Sequence, residues 1–448
     1  MNMKKFDEYQ MNEISAGRKS HVDISVYADP KYDWQQMRQI RAGLEQGLDV
    51  SAYTDPKYKA NEMSVIRVGL ENGVDVSIYA NPKFDYGQMQ EIRAGLEAGV
   101  DVSLYADPKY NAYQMQEICV GLENGVDVSI YTDPKYHEYQ MQEIRWGLEK
   151  DLDVTIYADP KYDRQQMSEL RKGLEAGLSN FDVWIYADPE FKVDQMAEIR
   201  EGLEKGLDAS LYADSEFNID QMKQIRKGLE RDLDVSLYAD PKYSRDQMKQ
   251  IRFGLEADLD VSAYADPKFD ADQMYELYKG LEEGVNVSLY ADTKFNDLQM
   301  RRIWTGLQSG VDASIYADPK YSWEQMQEIR DGLEAGVDVS MYTDPEFTWE
   351  QMYQIRYGLE NGVDASIYAD LQYDAEQMRQ IRWGLESNLD VSSYADPRFD
   401  AGQMDQMRQE LEYESDMDPA DELEESFKTE QDRPWVQLNK PTGKGLER

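Results

Sequence analysis

Apolar and polar positions recur along this chain with a fixed period. In residues 32–47, YDWQQMRQIRAGLEQG, Met37, Ile40, Arg41 and Leu44 stand at i, i+3, i+4 and i+7. That spacing places them on one side of a helix. The stretch returns sixteen times, centred on Met11 and then on methionines up to Met404; fourteen of the fifteen steps are 26 residues and one, Met167 to Met196, is 29. A short fixed period predicts a solenoid, in which each unit buries its apolar face against the next.

Both ends of the helix are written into the unit. Asp33 is placed to cap the first turn, and Gln36, three residues on, completes a capping box. Tyr32, before the cap, is placed to pack on Met37 as a hydrophobic staple. Gly47 ends the helix in the left-handed conformation, with Asp151, Asp232, Asp258 and Asn388 in its place elsewhere. The helix is then about 13 residues, or roughly 20 Å. The stripe Met37, Ile40, Arg41, Leu44 hardly varies between copies and predicts the inter-repeat core, with Gly43 leaving room for a neighbouring backbone. The stripe Trp34, Arg38, Ala42 varies freely and predicts a face toward solvent or a partner.

The connectors, such as residues 48–56, LDVSAYTDP, carry a tyrosine in all fifteen copies. Two structures fit this segment. Val50 and Ala52 alternate with Ser51 and Tyr53, as in a strand. Alternatively Asp49 caps a helical turn with Val50 and Tyr53 on one side, closed by Asp55-Pro56. The turn is favoured, because a solenoid of helices needs no edge strand. The expected fold is an all-α solenoid of either hand over residues 1–412, followed by a disordered tail over 413–448.

The ends of the array and one internal step depart from the pattern. In the first unit Ser15 and Arg18 replace the repeat's arginine and leucine, and in the last Glu410 replaces the glycine, as in capping units. The 29-residue step inserts Ser179, Asn180 and Phe181, and Trp184 stands where the other connectors have serine or threonine. A surface bulge and a partner contact through Phe181 and Trp184 are the two readings of this insertion.

Charge narrows the function. The net charge is −41. Residues 413–432 carry −8 and 433–448 carry +3, which leaves −36 on the repeats. Such acidity argues against direct binding to nucleic acid or to an anionic membrane surface. It invites mimicry of nucleic acid, but sixteen layers give one net charge per roughly 4 Å against about 1.7 Å for duplex DNA. No apolar run is long enough to span a membrane, and the N-terminus has no secretory h-region. One cysteine, Cys119, excludes internal disulfides and fits a reducing compartment. The expected location is the cytoplasm.

Candidate chemistry is sparse. The two histidines, His21 and His137, lie in different units, and no Gly-rich phosphate loop or EF-hand spacing occurs. No enzymatic activity, metal or cofactor is expected. An arginine on the constant face recurs in twelve of sixteen units, from Arg41 to Arg408. It is expected to pair with connector aspartates such as Asp49 or Asp55 of an adjoining layer. A cation ladder for an anionic ligand is the other reading. In the tail, residues 434–438, PWVQL, could dock as a short linear motif.

The whole repeat, Y-A-D-P-K-Y-D-x-x-Q-M-x-x-I-R-x-G-L-E-x-G-x-D-V-S, resembles acidic tandem-repeat proteins of gut Gram-positive bacteria and their mobile elements. The resemblance covers about residues 1 to 412. It implies a bacterial, cytoplasmic setting and no particular activity.

The variable stripe suggests where a partner binds. Central units carry bases there, whereas units thirteen to fifteen carry Trp323, then Trp349, Tyr353 and Tyr357, then Trp383. Trp349, Tyr353 and Tyr357 lie at i, i+4 and i+8 along one side of a helix. These five aromatics are the expected site for a protein partner of a non-catalytic scaffold. The rival reading is a nucleic-acid mimic that inhibits a DNA- or RNA-binding protein, such as a host defence factor.

Overall fold

The computed structural model describes residues 6–416. Among these are seventeen α-helices and fourteen short 3-10 helices, with no strand. The chain divides into two compact units, Met1–Pro241 and Lys242–Arg448. Within each unit every repeat helix packs on the helices of the preceding and following repeats, which makes an all-α solenoid.

The helix ends form as their sequence dictates. In Trp34–Glu45 the Asp33 carboxylate accepts the Gln36 N–H at 2.8 Å, and Gln36 Oε1 accepts the Asp33 N–H at 2.9 Å. Lys59, His137 and Lys192 make no side-chain cap, yet their N–H groups are still taken by Glu62, Gln140 and Gln195 at 2.7 Å. Gly47 has φ 72°, and its substitute Asp151 reaches φ 57°. Aspartate and asparagine tolerate this region better than other non-glycine residues, which explains what replaces the glycine.

The connector is a helical turn. Val50–Tyr53 is a 3-10 helix whose cap, Asp49, accepts the Ser51 N–H at 3.0 Å. Val50 and Tyr53 are buried together, as i and i+3 require. The Tyr53 hydroxyl reaches back to the Gln39 carbonyl at 3.3 Å. It lies where a Cβ on Gly43 would be. Gly43 thus makes room for the tyrosine of its own connector, not for a neighbouring backbone.

Tyr32, expected as a local staple, also links repeats: its hydroxyl donates to the Thr54 carbonyl of the next connector. Tyr136 does the same to Ala158 at 2.7 Å. Met37 and Ile40 are fully buried. Met11, at the equivalent place in the first unit, is 48% exposed. The last helix, Ala401–Asp416, runs four residues past the expected boundary at 412. The rest of the tail, with residues 434–438, lies outside the described residues. The insertion forms its own five-residue helix, Asn180–Trp184, capped by Ser179.

Candidate functional site

The arginines of the constant face define what surrounds the variable stripe. Arg41 Nε donates to Glu13 of the preceding repeat at 2.9 Å, and Nη1 donates to Glu45 of its own helix at 2.7 Å. The pattern repeats at Arg145 with Glu117, Arg171 with Glu143, Arg200 with Glu169 and Arg356 with Glu328, at 2.8–3.0 Å. In other rungs an amide accepts, as Gln39 does from Arg67 at 3.1 Å and Gln354 from Arg382 at 3.1 Å. The partners are therefore helix residues two positions after the methionine. The connector aspartates are engaged instead in capping their own turns. A side chain four residues after the methionine reaches the helix beside it.

Substituted rungs change in predictable ways. Val65 faces Arg93, and Arg93 Nε is buried without a partner. Cys119 replaces the arginine that would meet Glu91. Burial, then the nearby Glu123, pushes the Glu91 carboxyl above the ordinary carboxylate range. Trp304 replaces another arginine and donates from Nε1 to Glu276 at 2.8 Å.

The five expected site residues lie on three consecutive helices of the second unit, Trp323–Ala335, Trp349–Glu360 and Ala375–Glu386. Trp349, Tyr357 and Trp383 are 43%, 38% and 36% exposed. Trp323 and Tyr353 are half-buried. Trp323 and Trp349 line one cleft of about 360 Å³ with Glu324, Gln327 and Glu328. Tyr353 and Tyr357 stack with ring centroids 5.8 Å apart. Trp383 lies between the guanidiniums of Arg379 at 4.8 Å and Arg408 at 5.3 Å.

Those stacks reveal a second role for the aromatics. Tyr357 and Trp383 sit one residue after the ladder arginine, and each lies against the ladder arginine of the next repeat. Arg382 covers Tyr357 at 4.7 Å, as Arg171 covers Trp146 in the first unit at 5.3 Å. Cation–π contact holds the Tyr357 and Trp383 rings while about a third of each stays in solvent. The rings are therefore both part of the ladder and held rigid at the surface.

The first unit has aromatic features of its own. Trp34 and Tyr86, at the first helical position of repeats two and four, line a cleft of about 320 Å³ with Arg38 and Gln39. Phe181 and Trp184 are 79% and 69% exposed, the largest fractions of any large hydrophobic side chain among the described residues. The signal for Phe181 and Trp184 was present in the insertion. Trp34 was on the variable stripe read from the sequence, but spacing within one unit does not show that it shares a cleft with Tyr86 two repeats on.

No helix among the described residues is long and apolar enough to cross a membrane. No protein-family model matches the chain, and no curated protein matches it significantly.

Proposed function

We propose that the protein is a non-catalytic repeat scaffold that binds a protein partner through the variable helix face of repeats thirteen to fifteen. The carrying observation is that Trp349, Tyr357 and Trp383 are solvent-exposed while Tyr357 and Trp383 are held in place by guanidinium stacks. Rigid exposed aromatics with neighbouring arginines are the composition of interface hot spots. Their conformational entropy is already spent, so less is lost on association. A cytoplasmic, bacterial setting fits the acidity and the single buried cysteine.

One observation favours the nucleic-acid mimic as a second reading. Several connectors present a fully exposed aspartate, such as Asp49, Asp75 and Asp101, whose pKa is lowered by hydrogen bonds from the serine two residues on. These carboxylates stay ionised and form an interrupted row, with Asn286 in place of the aspartate in one connector. At one repeat per roughly 9 Å the row is sparser than a phosphate backbone. A pull-down with the full chain, repeated at high salt, separates the two readings. A scaffold anchored by aromatics keeps its partner. A mimic recovers nucleic-acid-binding proteins that leave steeply as salt rises.

A further inference from the structure

One rung of the arginine ladder is reversed. Two residues after the methionine the other units carry glutamate, glutamine or, once, Val65; the unit centred on Met300 carries Arg302. The next repeat's arginine, Arg330, is thereby placed beside another cation. It turns away, donating to Asp331 at 2.7 Å and to Thr305 Oγ1 at 3.1 Å. Arg301 next door is already held by Glu276 at 2.7 Å.

Arg302 itself has no such outlet. It is half-buried, its Nε is buried with no hydrogen-bond partner, and no carboxylate pairs with its guanidinium among the described residues. It stacks on the Trp323 ring, 5.2 Å from the guanidinium carbon. Burial, then the charge of Arg330, pushes its pKa below the usual guanidinium range; Arg301 adds to this, and Asp331 and Glu276 only partly offset it. Ladder arginines elsewhere are stacked on rings too, but they also hold acids, as Arg356 holds Glu328 and Glu360. An underpaired guanidinium of this kind is stabilised by any anion that reaches its Nη groups. The same Trp323 lines the cleft shared with Trp349.

We propose that Arg302 binds a carboxylate that a partner protein presents beside the Trp323–Trp349 cleft. The partner then offers an aspartate or glutamate next to an apolar side chain: the carboxylate takes the Nη hydrogens of Arg302 and the apolar group enters the cleft. A guanidinium favours a planar carboxylate because two of its N–H groups match the two oxygens. A polyphosphate or nucleic acid is opposed by the net charge of −41, whereas a single carboxylate on an otherwise neutral or basic partner is not. This inference rests on the reading of Trp323 and Trp349 as part of the partner face.

The test is a titration of the full chain at constant ionic strength, followed through the indole resonances of its eight tryptophans. Trp323→Phe assigns the relevant signal. The probes are sodium acetate, the blocked dipeptide N-acetyl-Asp-Phe-amide, and its Asn counterpart. The Trp323 resonance is expected to move saturably with both carboxylates, with the Asp dipeptide binding more tightly than acetate and also moving Trp349. In Arg302→Gln the dipeptide should bind roughly tenfold or more weakly. Acetate binding as tightly as the dipeptide overturns the partner protein as the source, in favour of a free carboxylate. No movement of Trp323, or equal response to the Asn dipeptide or in Arg302→Gln, overturns the site.

Arg302→Glu supplies an independent check on the ladder. It gives Arg330 an acid across the rung, so the melting temperature should rise while the Trp323 response disappears. A lower melting temperature contradicts the reversed-rung argument. If the titration fails but alanine at Trp349, Tyr357 and Trp383 still abolishes partner capture, the aromatic face stands and only the carboxylate is lost.

Discussion

Gln36 Nε2 donates to the Tyr58 carbonyl of the next repeat at 2.6 Å, while its Oε1 accepts the Asp33 N–H of its own helix. One side chain therefore closes the helix and joins it to its neighbour. A capping box alone would accept glutamate at this position. The second bond does not, because an ionised carboxylate has no hydrogen to donate. That is why fifteen of sixteen units carry glutamine.

The exception offers a direct test. Glu62 accepts the Lys59 N–H but has no hydrogen to donate toward repeat four. Glu62→Gln should gain that bond and relieve a buried charge. The expected gain is about 1 kcal/mol in unfolding free energy, read by urea denaturation. The converse change in the same fold, Gln273→Glu, should cost roughly 1–3 kcal/mol. Equal stability of both variants with the parent would mean that the inter-repeat bond contributes nothing.

A second prediction concerns Gly306 and Tyr316. A Cβ at Gly306 overlaps the Tyr316 hydroxyl, so Gly306→Ala should destabilise by more than about 2 kcal/mol through overpacking. Tyr316→Phe removes the overlapping oxygen. The double variant should recover most of the loss in a double-mutant cycle. Additive losses would contradict the steric account.

The Glu91 rung makes a pH prediction. Its folded pKa is raised, by burial first and Glu123 second, since Cys119 supplies no cation. A carboxyl with a raised folded pKa adds most stability below its unfolded pKa, and that contribution is lost as pH rises through the folded value. Glu91→Gln should therefore be more stable than the parent at pH 7. The difference should vanish below about pH 4, where the parent carboxyl is protonated in both states. Thermal melts of the two proteins across this range check the sign; a gain that is flat with pH would remove the unpaired-acid explanation.

Phe181 and Trp184 test the insertion. Both side chains are mostly in solvent. Phe181→Ala with Trp184→Ala should change stability by no more than about 0.5 kcal/mol. A larger loss in calorimetry would show that the short helix Asn180–Trp184 braces the repeats through these rings.

Local features were legible in the sequence, and inter-repeat partners were not. Asp33 and Gln36, Gly47, and the pair Val50 and Tyr53 each form within one unit, so spacing alone placed them. The arginine partner depends on which residues of adjoining helices lie level, and spacing within one unit does not supply that register. The signal was nonetheless in the chain: Glu13 precedes Arg41 by 28 residues, as Glu117 precedes Arg145 and Glu143 precedes Arg171. The spacing put the five aromatics on three consecutive helices. The stacking of Tyr357 on Arg382 and of Trp383 on Arg408 was hidden for the same reason of register, whereas Arg379 lies four residues before Trp383 in the same helix, within reach of spacing alone.

The most direct measurement is partner capture by the variant carrying Trp349→Ala, Tyr357→Ala and Trp383→Ala, made together with its thermal melt. Loss of the guanidinium stacks should lower stability by about 2 kcal/mol at most, and the array should stay folded. The account predicts that capture of the partner retained by the parent at high salt is abolished while the melt shifts only slightly. Capture that persists in the folded variant would contradict the assignment of this face as the partner site.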